Sequence, residues 1–161
     1  MPTLRPLEQF FCDSCGAVIA RPAHGIVTWA HEEDADVGRK NHSFTIIHAA
    51  DRTPNPSRPC DDGVRTSVRP LVDWLGTRGL IHGFGMLDAG LHHQPRFSGT
   101  RVRDVREWTE LMRRLHLPYF EEARHFWTPA SAGYFGDVSE EKIYQPTYLR
   151  QLIEHFEREH V

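Results

Sequence analysis

Two cysteines three positions apart, Cys12 and Cys15, constrain what this chain can fold into more than any other feature. They lie in the segment FCDSCG, and two thiolates at this spacing can reach one tetrahedral metal ion from a single tight turn. Gly16 follows the second cysteine and lets the backbone turn without a Cβ clash. The 161 residues include only 3 cysteines, which argues against a disulfide framework. We therefore predict a metal-binding turn between two short strands.

Two other interpretations of the cysteines stay open. In a redox-active CxxC a helix begins at the cysteines and its dipole lowers the pKa of one thiol, but residues 16–22 (GAVIARP) predict no helix of useful length. Alternatively, the cysteines are ordinary buried thiols, which are common in protein cores. The stretch FCDSCGAVI resembles the knuckle of zinc-ribbon and treble-clef proteins. The resemblance implies a bound zinc ion, covers only this short stretch and implies no particular function.

A zinc knuckle supplies half of a tetrahedral site, and the sequence has no second CxxC pair to supply the other half. The best remaining ligands are His48, which ends a predicted strand, and Cys60, which closes a proline-rich loop that needs an anchor. We predict a zinc site made by Cys12, Cys15, His48 and Cys60. The alternatives for the fourth ligand are three other histidines, His24, His31 and His42. Four protein ligands would make the site structural, whereas three with a water molecule would make it catalytic.

The first part of the chain, residues 1–66, is predicted to be a β-rich zinc-knuckle module. Strands are predicted over 25–30 and 43–48, where β-branched and aromatic residues cluster. The charged segment between them, 31–42, is predicted to be a solvent-exposed loop. Residues 51–63 contain three prolines and are predicted to be a second loop.

The second part, residues 67–161, is predicted to be a helical bundle packed on the first part as one unit, which makes the fold class α+β. Ser67 is predicted to cap a helix that stops at Gly76. Another helix is predicted over 104–116, where apolar residues recur at helical spacing. The remaining segments with helical spacing are 80–90, 118–127 and 146 onwards, and the predicted loops are 91–100 and 128–137.

A first alternative function is a metal-dependent hydrolase or nuclease. It would use a histidine-rich site of His42, His48 and Asp51 around a metal ion that is open to water. The alternative is weakened because the sequence has only one CxxC pair and no helix is predicted directly after these residues to face the metal.

A second alternative is a zinc-bearing nucleic-acid-binding protein. Arg103 directly precedes the helix predicted over 104–116, Arg106 and Arg113 lie along it, and all three could contact phosphates. Glu107 and Glu110 are interleaved with these arginines, so a solvated face whose charges pair with one another competes with this interpretation.

Composition limits the function further. The formal net charge is −3, which disfavours broad nucleic-acid binding. No apolar run approaches the roughly 20 residues needed to cross a bilayer, and no secretory signal is visible, so we expect a cytoplasmic protein without a membrane partner. No nucleophile, phosphate-binding loop or carboxylate pair stands out. The leading hypothesis is therefore a non-enzymatic, zinc-stabilised binding or regulatory protein that acts through a protein partner.

Overall fold

The computed structural model describes residues 3–88 and 99–159 and has the predicted α+β architecture, with strands first and helices after them. A small hairpin pairs β1 (Phe10–Phe11) with β2 (Val18–Ile19) in antiparallel register. The main sheet is antiparallel with the order β4–β3–β5. Its strands are β3 (Gly25–Asp34), β4 (Gly38–His48) and β5 (Ser67–Pro70).

The prediction of a loop over residues 31–42 is wrong, because most of this segment extends the β3–β4 hairpin. Opposite charges face each other across the two strands, and Arg39 lies 3.6 Å from Glu33. The Asp34 side chain accepts hydrogen bonds from the backbone of the turn that follows it. Gly38 has a φ of +80°, a conformation that glycine adopts without steric cost. Cross-strand charge pairing and turn chemistry thus make strands of a segment with few apolar residues.

The helix predicted from Ser67 to Gly76 is also wrong. Residues Ser67–Pro70 form β5, which covers the free edge of β3 and satisfies its backbone hydrogen-bonding groups. A 3-10 turn over Leu71–Trp74 follows, and Gly76 begins α1 (Gly76–Leu87) instead of ending a helix. The helical spacing predicted over 80–90 is confirmed as far as Leu87.

Two helices agree with their predicted bounds. In α2 (Val105–His116) the Asp104 side chain caps the first turn by accepting hydrogen bonds from two backbone amides. The last helix is α6 (Pro146–Glu159), and its apolar residues are buried as the spacing predicts. None of the helices in the described ranges is both long and apolar enough to span a bilayer.

The chain between α2 and α6 departs from the prediction. It forms the short helices α3 (Phe120–Ala123), α4 (Trp127–Pro129) and α5 (Glu140–Ile143). A 3-10 turn over Arg124–Phe126 interrupts the helix predicted over 118–127, and a π-helical turn over Ala130–Tyr134 replaces part of the loop predicted over 128–137. The loop predicted over 91–100 lies mostly outside the described residues.

The described residues form two hydrophobic clusters. The first joins the sheets to α1 and α2 around Trp74 and Trp108, and the second lies between α3 and α6 around Phe120. Glu121 and Glu122 of α3 reach the N-terminal segment and accept hydrogen bonds from backbone amides there, so α3 also contacts the first part of the chain. The division of the chain at residue 66 stays a prediction.

Candidate metal centre

The β1–β2 hairpin shapes the turn that carries Cys12 and Cys15. The Cys12 amide donates to the Ala17 carbonyl at 2.9 Å, and the Gly16 amide donates to the Cys12 carbonyl at 2.8 Å. Gly16 has a φ of +73°, which the sequence anticipates by placing glycine after the second cysteine. Backbone hydrogen bonds therefore hold the two thiols on one turn, as the knuckle interpretation requires.

His48 lies at the end of β4 and is buried, with 5% of its surface exposed. Its Nε2 lies 3.4 Å from the Val18 carbonyl oxygen, which can only accept a hydrogen bond. This contact favours the tautomer with the proton on Nε2 and leaves the Nδ1 lone pair free. Nδ1 faces Cys15 Sγ at 3.6 Å and Cys60 Sγ at 3.8 Å.

Cys60 comes from the proline-rich loop and closes the cluster from the other side. Its thiol is buried, and Thr53 Oγ1 lies 3.4 Å from Cys60 Sγ within the same loop. The loop therefore has the anchor that its composition called for, because Cys60 ties it to β4 through His48.

The ligand atoms of Cys12, Cys15, His48 and Cys60 all lie within 4.8 Å of one another. With Zn–S and Zn–N bonds of about 2.3 and 2.0 Å, a tetrahedral site separates sulfur from nitrogen by about 3.5 Å. The observed separations of 3.6 and 3.8 Å between the thiol sulfurs and His48 Nδ1 match this value. The cluster could therefore hold a metal ion, and three thiolates with one imidazole form a donor set that suits zinc.

The surroundings of two thiols in the cluster shift their pKa values in opposite directions. Cys15 is exposed, yet the protein around it partly desolvates its thiol, and with neighbouring Cys12 and Cys60 adding to this effect its pKa is raised from 9.0 to about 11. Burial also opposes ionisation of Cys60, but hydrogen bonds from Thr53 and the other thiols outweigh it, so the pKa of the Cys60 thiol is lowered. Several thiolates at such close range need a cation to offset their repulsion, which a divalent metal ion would provide.

The other histidines considered as fourth ligand lie elsewhere. His31 Nδ1 is 3.2 Å from the Ser67 hydroxyl, and His42 Nδ1 is 2.9 Å from the Ser43 hydroxyl. His24 does not belong to the cluster either. Within the part of the chain that the structure describes, the four residues Cys12, Cys15, His48 and Cys60 are the sole group of metal-ligating side chains that could hold an ion.

The residues of the hydrolase alternative are not brought together as one site. His48 belongs to the cysteine cluster, His42 bonds to its neighbour Ser43, and Asp51 is an exposed carboxylate 3.3 Å from Arg52. These three side chains do not form a metal-binding group among the described residues.

The arginines of the nucleic-acid alternative are partly engaged in ion pairs. Arg103 lies 3.4 Å from Glu32, and Arg113 lies 3.7 Å from Glu140 and 3.9 Å above the Tyr144 ring. Arg106 is exposed, and no ion pair to it occurs within residues 3–88 and 99–159. The pairing weakens the case for a cationic face along α2.

Sequence reasoning missed a buried ion network beside the cysteines. Arg114 is 5% exposed and contacts Asp13 at 2.8 Å and Glu121 at 2.7 Å. Asp13, between the two cysteines, also accepts a hydrogen bond from the Ile46 amide at 2.7 Å. Burial opposes the charge of Arg114, but the two carboxylates outweigh it and raise the pKa of the guanidinium. The network ties the cysteine turn to β4, α2 and α3.

Comparison of the chain with protein-family models, with curated proteins and with solved structures finds no match.

Proposed function

We propose that Cys12, Cys15, His48 and Cys60 bind one zinc ion that stabilises the fold, and that the protein acts by binding a protein partner. The observation that carries the first half is the convergence of four ligand atoms from three separate segments to within 4.8 Å. If the thiols were ordinary core residues, there would be no reason to expect a histidine with its free Nδ1 turned toward them. Four protein ligands complete a tetrahedral shell, which favours a structural over a catalytic ion.

Metal content of the purified protein tests the zinc site. We expect about one zinc ion per chain in the wild type, which is the stoichiometry of a single tetrahedral site. Cys60→Ser and His48→Ala should lose or loosen the ion and unfold at lower temperature, because metal binding is coupled to folding. His42→Ala, which removes a histidine outside the cluster, is the matched control and should retain the ion. A wild type without metal, prepared under reducing conditions and without chelator, would refute the proposal.

The second half of the proposal is supported by an exposed apolar surface on α1. Ile81 and Phe84 are 69% and 64% exposed. Next to this surface is a groove of about 260 Å³ between α1 and α2, lined by Leu80, Met112 and the same Phe84. Clustered apolar side chains of this kind mark interaction surfaces more often than isolated ones do.

Charge near the groove indicates what kind of partner fits. Arg106 lies one turn before Thr109, which lines the groove, and no carboxylate pairs with it among the described residues. We therefore infer a partner segment that presents apolar side chains with an acidic residue beside them. The zinc ion would stabilise the main sheet through His48 at the end of β4. This sheet supports α1 and α2, so zinc would also stabilise the partner surface.

A purified partner is needed to test this surface. We expect a protein captured by the wild type, then purified and titrated calorimetrically, to bind wild type and to lose at least tenfold in affinity with Phe84→Asp. Val64→Asp is the matched control, because Val64 is 72% exposed and lies outside the groove. Equal affinity of both variants, or self-association of the wild type through this surface, would exclude the proposed partner site.

A further inference from the structure

We propose that Cys15 is the site at which a peroxide oxidises the metal centre and releases its zinc ion, an inference that rests on the zinc binding proposed above. The chemical class of reactant is a small polar hydroperoxide such as hydrogen peroxide. The four candidate ligands differ in their exposure to solvent, and a cleft lies beside them.

Cys15 differs from the other three ligands in access to solvent. Cys12, His48 and Cys60 have 2%, 5% and 6% of their surface exposed, whereas Cys15 is exposed. Oxidation of cysteine follows thiolate character and exposure. Zinc binding keeps a cysteine in the thiolate form, so Cys15 would combine both properties when the ion is bound.

A cleft of about 380 Å³ is lined by the exposed Cys15 and also by Cys60, whose side chain is buried. Its wall is polar and includes side chains that can donate hydrogen bonds to an oxygen atom, from Ser14, Asn55 and Arg58. No ion pair engages Arg58 in the described part of the chain, so its charge is available to stabilise a departing hydroxide. The size and polarity of the cleft fit a small peroxide.

The reaction balances with one peroxide and two thiolates. The Cys15 thiolate attacks one peroxide oxygen, the O–O bond breaks, hydroxide leaves and the sulfur becomes a sulfenic acid. The thiolate of Cys12 or Cys60, both within 4.8 Å, then attacks the Cys15 sulfur and expels a second hydroxide as the S–S bond forms. Both hydroxides take up protons to become water. Two electrons pass from the thiolates to the peroxide, and zinc loses two ligands and leaves.

The test compares two histidine substitutions in the zinc-loaded, reduced full chain. Cys15→His and Cys60→His each keep four candidate ligands, but only the first removes the exposed thiol. We expect hydrogen peroxide to release zinc from the wild type, followed with a chromogenic chelator, and peptide mass spectrometry to find Cys15 in the new disulfide. Cys15→His should release zinc at least tenfold more slowly than the wild type. Cys60→His changes the ligand set in the same way but keeps the Cys15 and Cys12 thiols, so it should release zinc severalfold faster than Cys15→His does.

Equal release rates for wild type and Cys15→His, or a disulfide between Cys12 and Cys60, would overturn the proposal. If Cys15→His fails to bind zinc, alkylation of the zinc-loaded wild type decides, since Cys15 must react with N-ethylmaleimide before Cys12 and Cys60. Zinc content measured before peroxide is added separates the two proposals. A wild type without zinc refutes the metal site itself, whereas zinc that is bound but released without Cys15 refutes only its oxidation.

Discussion

Two glycines of α1 differ sharply in what surrounds them. A Cβ atom built on Gly79 would clash with the backbone oxygen of Trp74, whereas one on Gly85 would meet no atom within 4 Å. Gly79 therefore allows the start of α1 to fold closely onto the preceding 3-10 turn. Gly85 has no such role, and it carries only the cost that glycine imposes on a helix.

Alanine at these two positions should change stability in opposite directions. Gly79→Ala should destabilise the protein by about 2 kcal/mol or more, because the backbone it meets must move. Gly85→Ala should stabilise it by up to about 1 kcal/mol through helix propensity. Urea unfolding followed by circular dichroism measures both. A stabilising Gly79→Ala would show that the close contact with Trp74 is absent in solution.

The cysteine turn shows how far a sequence can predict a site and where prediction ends. The spacing of Cys12 and Cys15 and the unanchored loop before Cys60 are local signals, and the structure brings these side chains together with His48. The burial of Arg114 has no local signal. Its partner Asp13 lies 101 positions away, and on α2 alone the residue looks like one more solvated arginine.

The same contrast, between signals in the local sequence and contacts with distant residues, explains the errors in the predicted helices and strands. Helix α2 carries its own periodicity and an N-cap, and α6 carries its own periodicity, so their sequences suffice. Strand β5 exists because β3 offers it an edge, and that edge is about 40 residues earlier in the chain. The segment before Gly76 thus follows its tertiary neighbour rather than its own propensity.

Removing the central cation of the ion network between the cysteine turn and α2–α3 should lower the free energy of unfolding substantially. Arg114→Met removes the buried cation beside Glu121 and leaves Glu121 and Asp13 only the half-buried Arg124 as a partner. We therefore expect a loss of about 3 kcal/mol. Arg150→Met is the matched control. Its partner Glu154 is 57% exposed, so the loss should stay below about 1 kcal/mol. Urea unfolding compares the two.

Similar losses in the two variants would show that the buried carboxylates find other partners when Arg114 is removed. The double variant Arg114→Met with Glu121→Gln adds a sharper test. It should recover part of the stability, because one of the two carboxylates that lost Arg114 is then replaced by a neutral amide.

Hydrogen bonds and an ion pair made by α3 connect the two hydrophobic clusters. Glu122 accepts a hydrogen bond from the Leu4 amide and Glu121 one from the Phe11 amide, both buried. Separating the C-terminal helices from the sheets would break both of these buried hydrogen bonds. The polar bridge therefore favours unfolding of both clusters together.

We predict that the two clusters unfold in one transition and that chelation of the proposed zinc ion weakens both. Hydrogen exchange read by mass spectrometry can follow peptides from β4 and from α6 separately at increasing urea. Their protection should fall at the same urea concentration, and a strong chelator should lower that concentration for both. His42→Ala provides the control for chelator specificity, because it should respond as the wild type does. Protection of α6 that outlasts loss of β4 would instead show that the helices form an independent unit, as a division of the chain into separate domains requires.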